Sequence, residues 1–180
     1  MTLPLLPADY SLGDTPLADE INAIKAHAAY HVERLTTVLR RTGTVQPITF
    51  NALTSANAIS WNTVVSGRNG MGWAIGTPTR IPCPSGGDGR YQFTLTAQMA
   101  AGAGGFRYTY LAKNGSGIKP GLFAPGDGTL TAWLATTWET ELAAGDYVEV
   151  WLFQNRTAGT SLNVDITGES PEISVRRVEQ

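Results

Sequence analysis

The stretch of sequence that decides the fold is LAAGDYVEVWLF, residues 142–153. Its Gly-Asp pair is typical of a turn, and the residues after that turn alternate along an extended strand. Aliphatic side chains occupy one face of the strand: Val148, Val150 and Leu152. Aromatic side chains occupy the other face, with Glu149 as the interruption: Tyr147, Trp151 and Phe153. Both faces need cover. The aliphatic face is predicted to line the sandwich core, and the aromatic face is predicted to be covered by another subunit or by a ligand. Cover by a loop or by the N-terminal helix is the alternative.

A second strand, residues 90–98, alternates as a half-buried strand does. Its apolar residues share one face: Tyr91, Phe93, Leu95 and Ala97. Its polar residues share the other: Gln92, Thr94, Thr96 and Gln98. This strand is therefore predicted to have one face in the core and one in solvent.

The whole region from Thr44 onward consists of short runs of alternating apolar and polar residues, separated by Gly, Asn, Asp and Pro. Asn69-Gly70 and Asn114-Gly115 predict tight turns. The predicted strands are residues 48–50, 60–65, 90–98, 106–112, 129–134, 147–153, 162–166 and 173–178. So many short strands without a helix predict an all-β sandwich or jelly roll.

Upstream of this region the pattern is helical. Thr15 and Pro16 are typical of a helix start, and Gly43 is typical of a helix end. Between them, seam positions recur at spacings of four and three, as in a coiled coil: Leu17, Ile21, Ile24, Ala28, His31, Leu35 and Val38. Isoleucine at both the a and the d positions of the heptad favours a coiled coil of three or four helices. His31 is interpreted as a polar residue that sets the register of these helices. A helix packed on the β domain through the same stripe is the alternative.

Two segments are therefore predicted. Residues 1–43 form an extended arm and a trimerising or anchoring helix, and residues 44–180 form the β domain. A seam this short is marginal by itself. The β domain must then supply most of the association, through the predicted trimer interface at Tyr147, Trp151 and Phe153.

Five pieces of sequence follow one another in a fixed order across the β domain. They are RIPCP at residues 80–84, GRYQF at 89–93, LAKNG at 111–115, LAAGDYVEV at 142–150 and SVRRV at 174–178. Together they resemble the C1q/TNF-like jelly-roll family: a Gly-x-Tyr-x-Phe strand, a strand ending in Lys-Asn-Gly, a Gly-Asp turn into a central strand, and a closing strand. Residues 100–105 and 121–128 depart from the family pattern, so family functions that reside in those loops are not carried over.

The resemblance implies a homotrimer. A compact head of this kind behind a proline-rich arm and helix also resembles bacteriophage virion proteins, namely capsid decorations, head fibres and minor tail proteins. Residues 13–22, GDTPLADEIN, are similar to the start of phage tail or fibre proteins. This implies a virion protein that is assembled in the host cytoplasm and bound to other capsid or tail proteins through its N-terminal region.

The composition limits the partners. Charged residues are 16% of the chain, against about 25% in typical proteins, which suits a surface packed in an assembly. A net charge of -2 argues against nucleic acid as a partner. No apolar run reaches the ~20 residues of a membrane span, and Pro4 and Pro7 interrupt any secretory signal. Cys83 is the sole cysteine, so no intrachain disulfide is expected.

No catalytic constellation is predicted. His27 and His31 are four residues apart without the glutamate of a zinc-protease helix. Cys83, between two prolines, is interpreted as a packed residue. The carboxylates of Glu139 and Glu141 in a linker, and of Asp165, Glu169 and Glu172 near the C-terminus, are interpreted as solvated charges. Calcium at Asp88, Asp127 and Asp146, all turn residues, is the alternative to a protein without metal or cofactor.

Two functions follow. The first is a non-enzymatic, trimeric virion structural protein that displays a jelly-roll head on the particle. The alternative is an adhesin for a receptor or host glycan, in which Trp73, Trp133 or Trp138 stacks on a sugar. Core or interface packing is the competing interpretation for each of these tryptophans.

Overall fold

The computed structural model describes residues 36–156, 161–166 and 170–179 together with Asn22, and for residues 66–68, 165 and 179 it describes the backbone alone. From Thr36 onward the regular secondary structure of the described residues consists of strands and one short 3-10 helix at Ser55–Asn57. The strands are β1 Thr36–Arg40, β2 Gln46–Thr49, β3 Thr63–Asn69, β4 Ile81–Pro82, β5 Gly89–Met99, β6 Phe106–Lys113, β7 Ser116–Pro125, β8 Ala132–Leu142, β9 Tyr147–Gln154, β10 Ser161–Asp165 and β11 Glu172–Glu179.

The strands form two antiparallel sheets. The larger sheet has the order β2-β10-β5-β11-β1-β3, with β8 on the other edge of β5, and the smaller sheet has the order β4-β9-β6-β7. Side chains from both sheets meet in one core: Phe93 and Leu95 from β5, Leu111 from β6, and Val148 and Val150 from β9 are all fully buried. The architecture is that of a jelly-roll sandwich.

The alternation predicted for residues 90–98 is confirmed along most of β5. The four apolar residues are buried, and Thr94 and Thr96 are exposed. Gln98 is an exception, because it is buried and its Nε2 donates a hydrogen bond to Thr131 Oγ1 at 2.5 Å. The side chain of Gln98 is therefore covered next to the start of β8 and is not exposed to solvent.

All eight predicted strands overlap a strand of the structure, but three strands were not predicted: β1, β4 and β7. The Asn114-Gly115 turn is confirmed. It joins β6 to β7, with φ of +52° and +75° at its two residues, as a two-residue hairpin turn requires. Glu139 and Glu141 lie within β8 and not in a linker, because β8 extends eight residues beyond its predicted end.

The prediction that Val38 belongs to a helical seam is wrong. Val38 lies in β1, which pairs with β11 along one edge and with β3 along the other. Thr36–Arg40 is rich in β-branched residues, and Leu39 is buried opposite Ile173, so pairing on both edges outweighs the helical spacing. The β domain thus begins upstream of residue 44. The other seam positions lie outside the described residues: Leu17, Ile21, Ile24, Ala28, His31 and Leu35.

A covering segment, residues 51–59, runs along the edge of β9. Asn51 N donates to Gln154 O and Ile59 N donates to Val150 O, each at 2.8 Å. The segment is held by the fully buried side chain of Asn57. Its Oδ1 accepts from Thr49 N at 2.8 Å, and its Nδ2 donates to the carbonyls of Thr49 at 3.0 Å and Ala52 at 2.7 Å.

Replacing Asn57 is expected to loosen this segment. Asn57→Ala removes the three hydrogen bonds of a fully buried side chain, and we expect a loss of about 2–3 kcal/mol in the free energy of unfolding, measured by urea titration. Asn62→Ala is the matched control, because Asn62 makes similar bonds to Thr42 N and O on the exposed surface. Its loss is expected to be about 0.5–1 kcal/mol. Equal losses in the two variants would contradict this account.

The turn between β8 and β9 is closed by Asp146. Its Oδ2 accepts from Ala143 N at 2.8 Å and lies 2.7 Å from Lys113 Nζ, while its Oδ1 accepts from Asn114 Nδ2 at 2.7 Å. The hydrogen bond from Lys113, followed by those from Ala143 and Asn114, lowers the pKa of Asp146 to about 2. The carboxylate thus ties the β8–β9 turn to the β6–β7 turn.

The stabilisation from Asp146 is expected to depend on pH. Because folding lowers this pKa below its ordinary value of 3.8, the contribution is complete above about pH 4 and is lost as the pH falls towards 2. Asp146→Asn should show a weaker fall in the free energy of unfolding over that interval than the wild type, measured by urea titration. Lys113→Met, which removes the largest cause of the shift, should resemble it. Parallel pH profiles for all three proteins would refute the assignment.

Candidate functional site

The aromatic face predicted to bind another subunit is largely covered by the chain itself. Trp151 is 6% exposed, because Leu53 and Ala58 of the covering segment pack against it. Its Nε1 donates to Glu149 Oε2 at 3.1 Å, and Glu149 is itself buried. The alternative of cover by a loop therefore holds for Trp151.

Phe153 is covered by its neighbours in the smaller sheet. It is 8% exposed and stacks on Tyr108 at 4.6 Å and on Phe106 at 5.6 Å between ring centroids. Tyr147 is half-buried, with the Arg80 guanidinium 4.4 Å from its ring centre. Tyr147, Trp151 and Phe153 thus form no exposed patch, and the expectation that their face lacks cover within the chain is wrong.

Two of the three tryptophans considered for ligand stacking are unsuitable. Trp73 and Trp138 are 7% and 4% exposed. Their Nε1 groups donate to the backbone carbonyls of Pro78 and Pro120, at 3.2 and 3.0 Å. Both side chains lie in the sandwich core with their polar atoms satisfied, as is usual for buried tryptophan. Trp133 differs, because 51% of it is exposed.

Exposed apolar side chains concentrate at one edge of the sandwich instead. Here β7 ends the smaller sheet and β8 ends the larger one, and no backbone ladder joins them. We call the following group the edge strip: Ile118, Leu122 and Phe123 on β7, Trp133 on β8, and Leu130 between the two strands. Phe123 is 58% exposed and Leu130 is 66% exposed. Large apolar groups gathered at an open edge are typical of an association surface.

A neutral surface lies beside the edge strip on the outer side of the larger sheet. Thr94 and Thr96 of β5 face Thr137 and Ala135 of β8 in the paired register, and these four residues are exposed. The Oγ1 atoms of Thr94 and Thr137 are 3.3 Å apart. We call these four residues the neutral face. These four residues are uncharged, so another protein can cover them at little desolvation cost, and charged residues border them on the same face: Glu172 opposite Thr96, and Glu139 opposite Gln92.

The three aspartates considered for calcium do not converge. Asp88 precedes β5 and lies beside the β8–β9 turn, where its Oδ1 accepts from Ala144 N. Asp127 lies at the other end of the sandwich, where its Oδ1 accepts from Thr129 N and Leu130 N. Asp146 is already paired with Lys113. Over the described ranges, no cluster of three metal-ligating side chains is present.

The buried titratable groups near the start of β5 are Cys83 and Tyr91. Burial is the largest cause that raises the pKa of the Cys83 thiol, and burial raises the pKa of Tyr91 to about 12. Tyr91 Oη donates to Gly87 O at 2.5 Å. Both groups therefore stay protonated near neutral pH and serve packing rather than nucleophilic chemistry.

No described helix is long and apolar enough to cross a membrane.

Most of the edge strip was missed from the sequence because β7 was missed. Glycine and proline at positions 117, 120 and 121 make SGIKPGLFAP look like a loop. The Asn114-Gly115 hairpin turn was the available signal, since a two-residue turn after β6 requires a second strand directly behind it. That strand would have placed Ile118, Leu122 and Phe123 on an edge.

Comparisons with known proteins agree with this architecture. No protein-family model matches the sequence, and no curated protein matches it. Among solved structures, the globular domain of zebrafish complement 1qA protein superposes with a TM-score of 0.52 at 12% identity, covering 80% of this chain and 97% of that one. The Eiger TNF structure from S. frugiperda gives a TM-score of 0.52 at 12% identity, covering 80% and 92%. The described part of the chain therefore has the C1q/TNF-like jelly-roll fold.

Proposed function

We propose that this protein is a trimeric bacteriophage virion structural protein, a capsid decoration, head fibre or minor tail protein that displays its jelly-roll head on the particle. The observation that carries the trimer is the edge strip, which leaves large apolar side chains uncovered beside the neutral face. C1q and TNF domains are typically trimeric, which supports the same state for this chain. The function is structural and non-enzymatic.

A second copy of this chain fits the edge strip by its chemistry. The edge strip of one subunit would lie against the neutral face of the next, so the contact joins two different surfaces. Contacts of this heterologous kind generate a ring when the rotation between subunits closes. Each large apolar side chain fully buried in this way contributes about 1.5–3 kcal/mol before the costs of association.

The mass in solution tests the trimer. The wild type should have the mass of three 19.2 kDa chains at micromolar concentration. Phe123→Ser and Trp133→Ser should each weaken association at least about tenfold, because each removes a large apolar side chain from the interface. Light scattering coupled to gel filtration measures both effects.

Ile75→Ser is the matched control for these variants. Ile75 is 64% exposed, but it lies between β3 and β4, on the edge of the sandwich opposite β7 and β8. This variant should remain trimeric, and circular dichroism should show that all the variants keep the β fold. A wild-type monomer, or a trimer insensitive to both edge changes, would refute the interface.

Attachment to the particle is assigned to the N-terminal region. Because β1 begins at Thr36, removal of residues 1–35 should leave the β domain intact. We expect this truncated protein to fold with a cooperative thermal transition and to be lost from purified phage particles. The parallel truncation of residues 1–43 removes β1 and should lower the thermal midpoint. Retention of the 36–180 protein on particles would show that the jelly roll itself attaches.

An adhesin for a receptor or glycan is the second candidate, and the exposure of Trp133 favours it. The two functions give Trp133 different surroundings. A tryptophan that stacks on a sugar must stay uncovered in the assembled protein, whereas a tryptophan of the edge interface becomes buried. Trimer mass unchanged by Trp133→Ser, together with loss of binding on a glycan array, would favour the adhesin.

A further inference from the structure

A buried arginine lies inside the sandwich at the end where β6 begins. Arg107 is 1% exposed and belongs to the inward-facing side of β6, opposite Gln154 of β9. Its Nη2 donates to Gly102 O at 2.5 Å. Its Nε and Nη1 are buried and have no hydrogen-bond partner among the described residues. Two of the three guanidinium nitrogens are thus unsatisfied in an interior where nearly all polar groups are paired.

A second arginine lies beside it. A Cβ placed on Gly102 would be 2.8 Å from Arg107 Nη2 and 3.4 Å from Arg156 Cδ, so the two side chains converge on this glycine. The Nε of Arg156 is also buried, and no described residue bonds to it. Burial first, and then the positive charge of Arg156, lower the pKa of Arg107. Two cations therefore share one partly dehydrated space.

Asp127, the carboxylate that influences Arg107, does not neutralise the two arginines. Asp127 attracts Arg107 at a distance, but no ion pair joins the two. Asp127 is exposed, and its Oδ1 is occupied by hydrogen bonds from the backbone of Thr129 and Leu130 and from Thr129 Oγ1. Those bonds, led by the one from Thr129 N, lower the pKa of Asp127. Its Oδ1 is thus committed to its own turn.

We propose that Arg107 and Arg156 bind a small inorganic anion, a halide or a single oxyanion, beneath the loops that contain Gly102 and Gly126. An anion there accepts hydrogen bonds from Nε and Nη1 of Arg107 and offsets the repulsion between the buried guanidinium of Arg107 and the half-buried one of Arg156. The ion must be small, because a Cβ on Gly126 would lie 2.1 Å from Arg107 Nη1 and 2.0 Å from Gly104 O, so backbone already packs closely against this end of the guanidinium. This inference does not depend on the proposed trimer or on the virion.

Anion exchange at constant ionic strength tests the proposal on the full-length protein. Sodium gluconate, whose anion is too large for the space, is replaced stepwise by sodium chloride or sodium phosphate while the thermal midpoint is recorded. The wild-type midpoint should rise by about 3–6 °C once the small anion exceeds its dissociation constant tenfold. Arg107→Met keeps the length of the side chain without its charge, and its midpoint should lose this rise.

Two further variants separate site binding from general salt effects. Arg176→Met removes an exposed arginine of β11 whose Nε donates to Gln92 Oε1, and this variant should keep the wild-type response. Arg156→Met should lose most of it. If Arg107→Met does not fold, Arg107→Lys serves in its place, since it retains the charge and loses the guanidinium fork.

Crystals grown in bromide should locate the ion by its anomalous scattering next to Arg107. An equal rise of the midpoint in wild type and Arg107→Met would mean a general salt effect and would overturn the proposal. The proposal would also be overturned by a structure in which Asp127, or a carboxylate of a neighbouring subunit, accepts the hydrogen bonds of Arg107 Nε and Nη1. If bromide is found at Arg107 but the thermal midpoint does not depend on the anion, the bromide is an adventitious ion only, and the proposal is overturned.

Discussion

Backbone pairing along both edges of β5 is the constraint on which the larger sheet depends. All eleven residues of β5 pair with β8 on one side, while β11 and β10 share the other side end to end. Each pairing sets which residues of the neighbouring strand face the core, because a shift by one residue would exchange the two faces. The burial of Phe93 thereby places Trp138 on one side and Val175 on the other in the same core.

The smaller sheet must be covered on both sides, because its central strands have apolar groups on both faces. The inner face of β9 joins the core, and the outer face is covered by the covering segment and by rings from β6. Buried Asn57 holds that segment in place. Since the outer aromatic face is covered within one chain, the large apolar side chains that stay exposed among the described residues concentrate at the edge, where no further strand pairs with the outer sides of β7 and β8.

The two ends of the sandwich differ in their electrostatics. At the end near Gly145, the charges are paired: Asp146 accepts hydrogen bonds from Lys113, Asn114 and Ala143. At the end near Gly102, Arg107 is buried, and two of its nitrogen atoms have no hydrogen-bond partner in the described part of the chain. A buried cation without a partner destabilises a fold, so the second end has a chemical reason to recruit an anion that the first end lacks.

The sequence by itself determined the all-β architecture, the position of eight strands, the alternation along β5 and the hairpin turn at Asn114-Gly115, because these follow from local periodicity and turn chemistry. Its likeness to C1q/TNF domains agrees with the fold. Only the tertiary structure decided that Val38 lies in a strand, that Trp73 and Trp138 are buried, and that Phe123 and Trp133 flank one open edge. Each of these depends on contacts between segments far apart in the chain: β1 takes its conformation from β11 and β3, and an aromatic side chain is exposed only where no distant segment covers it.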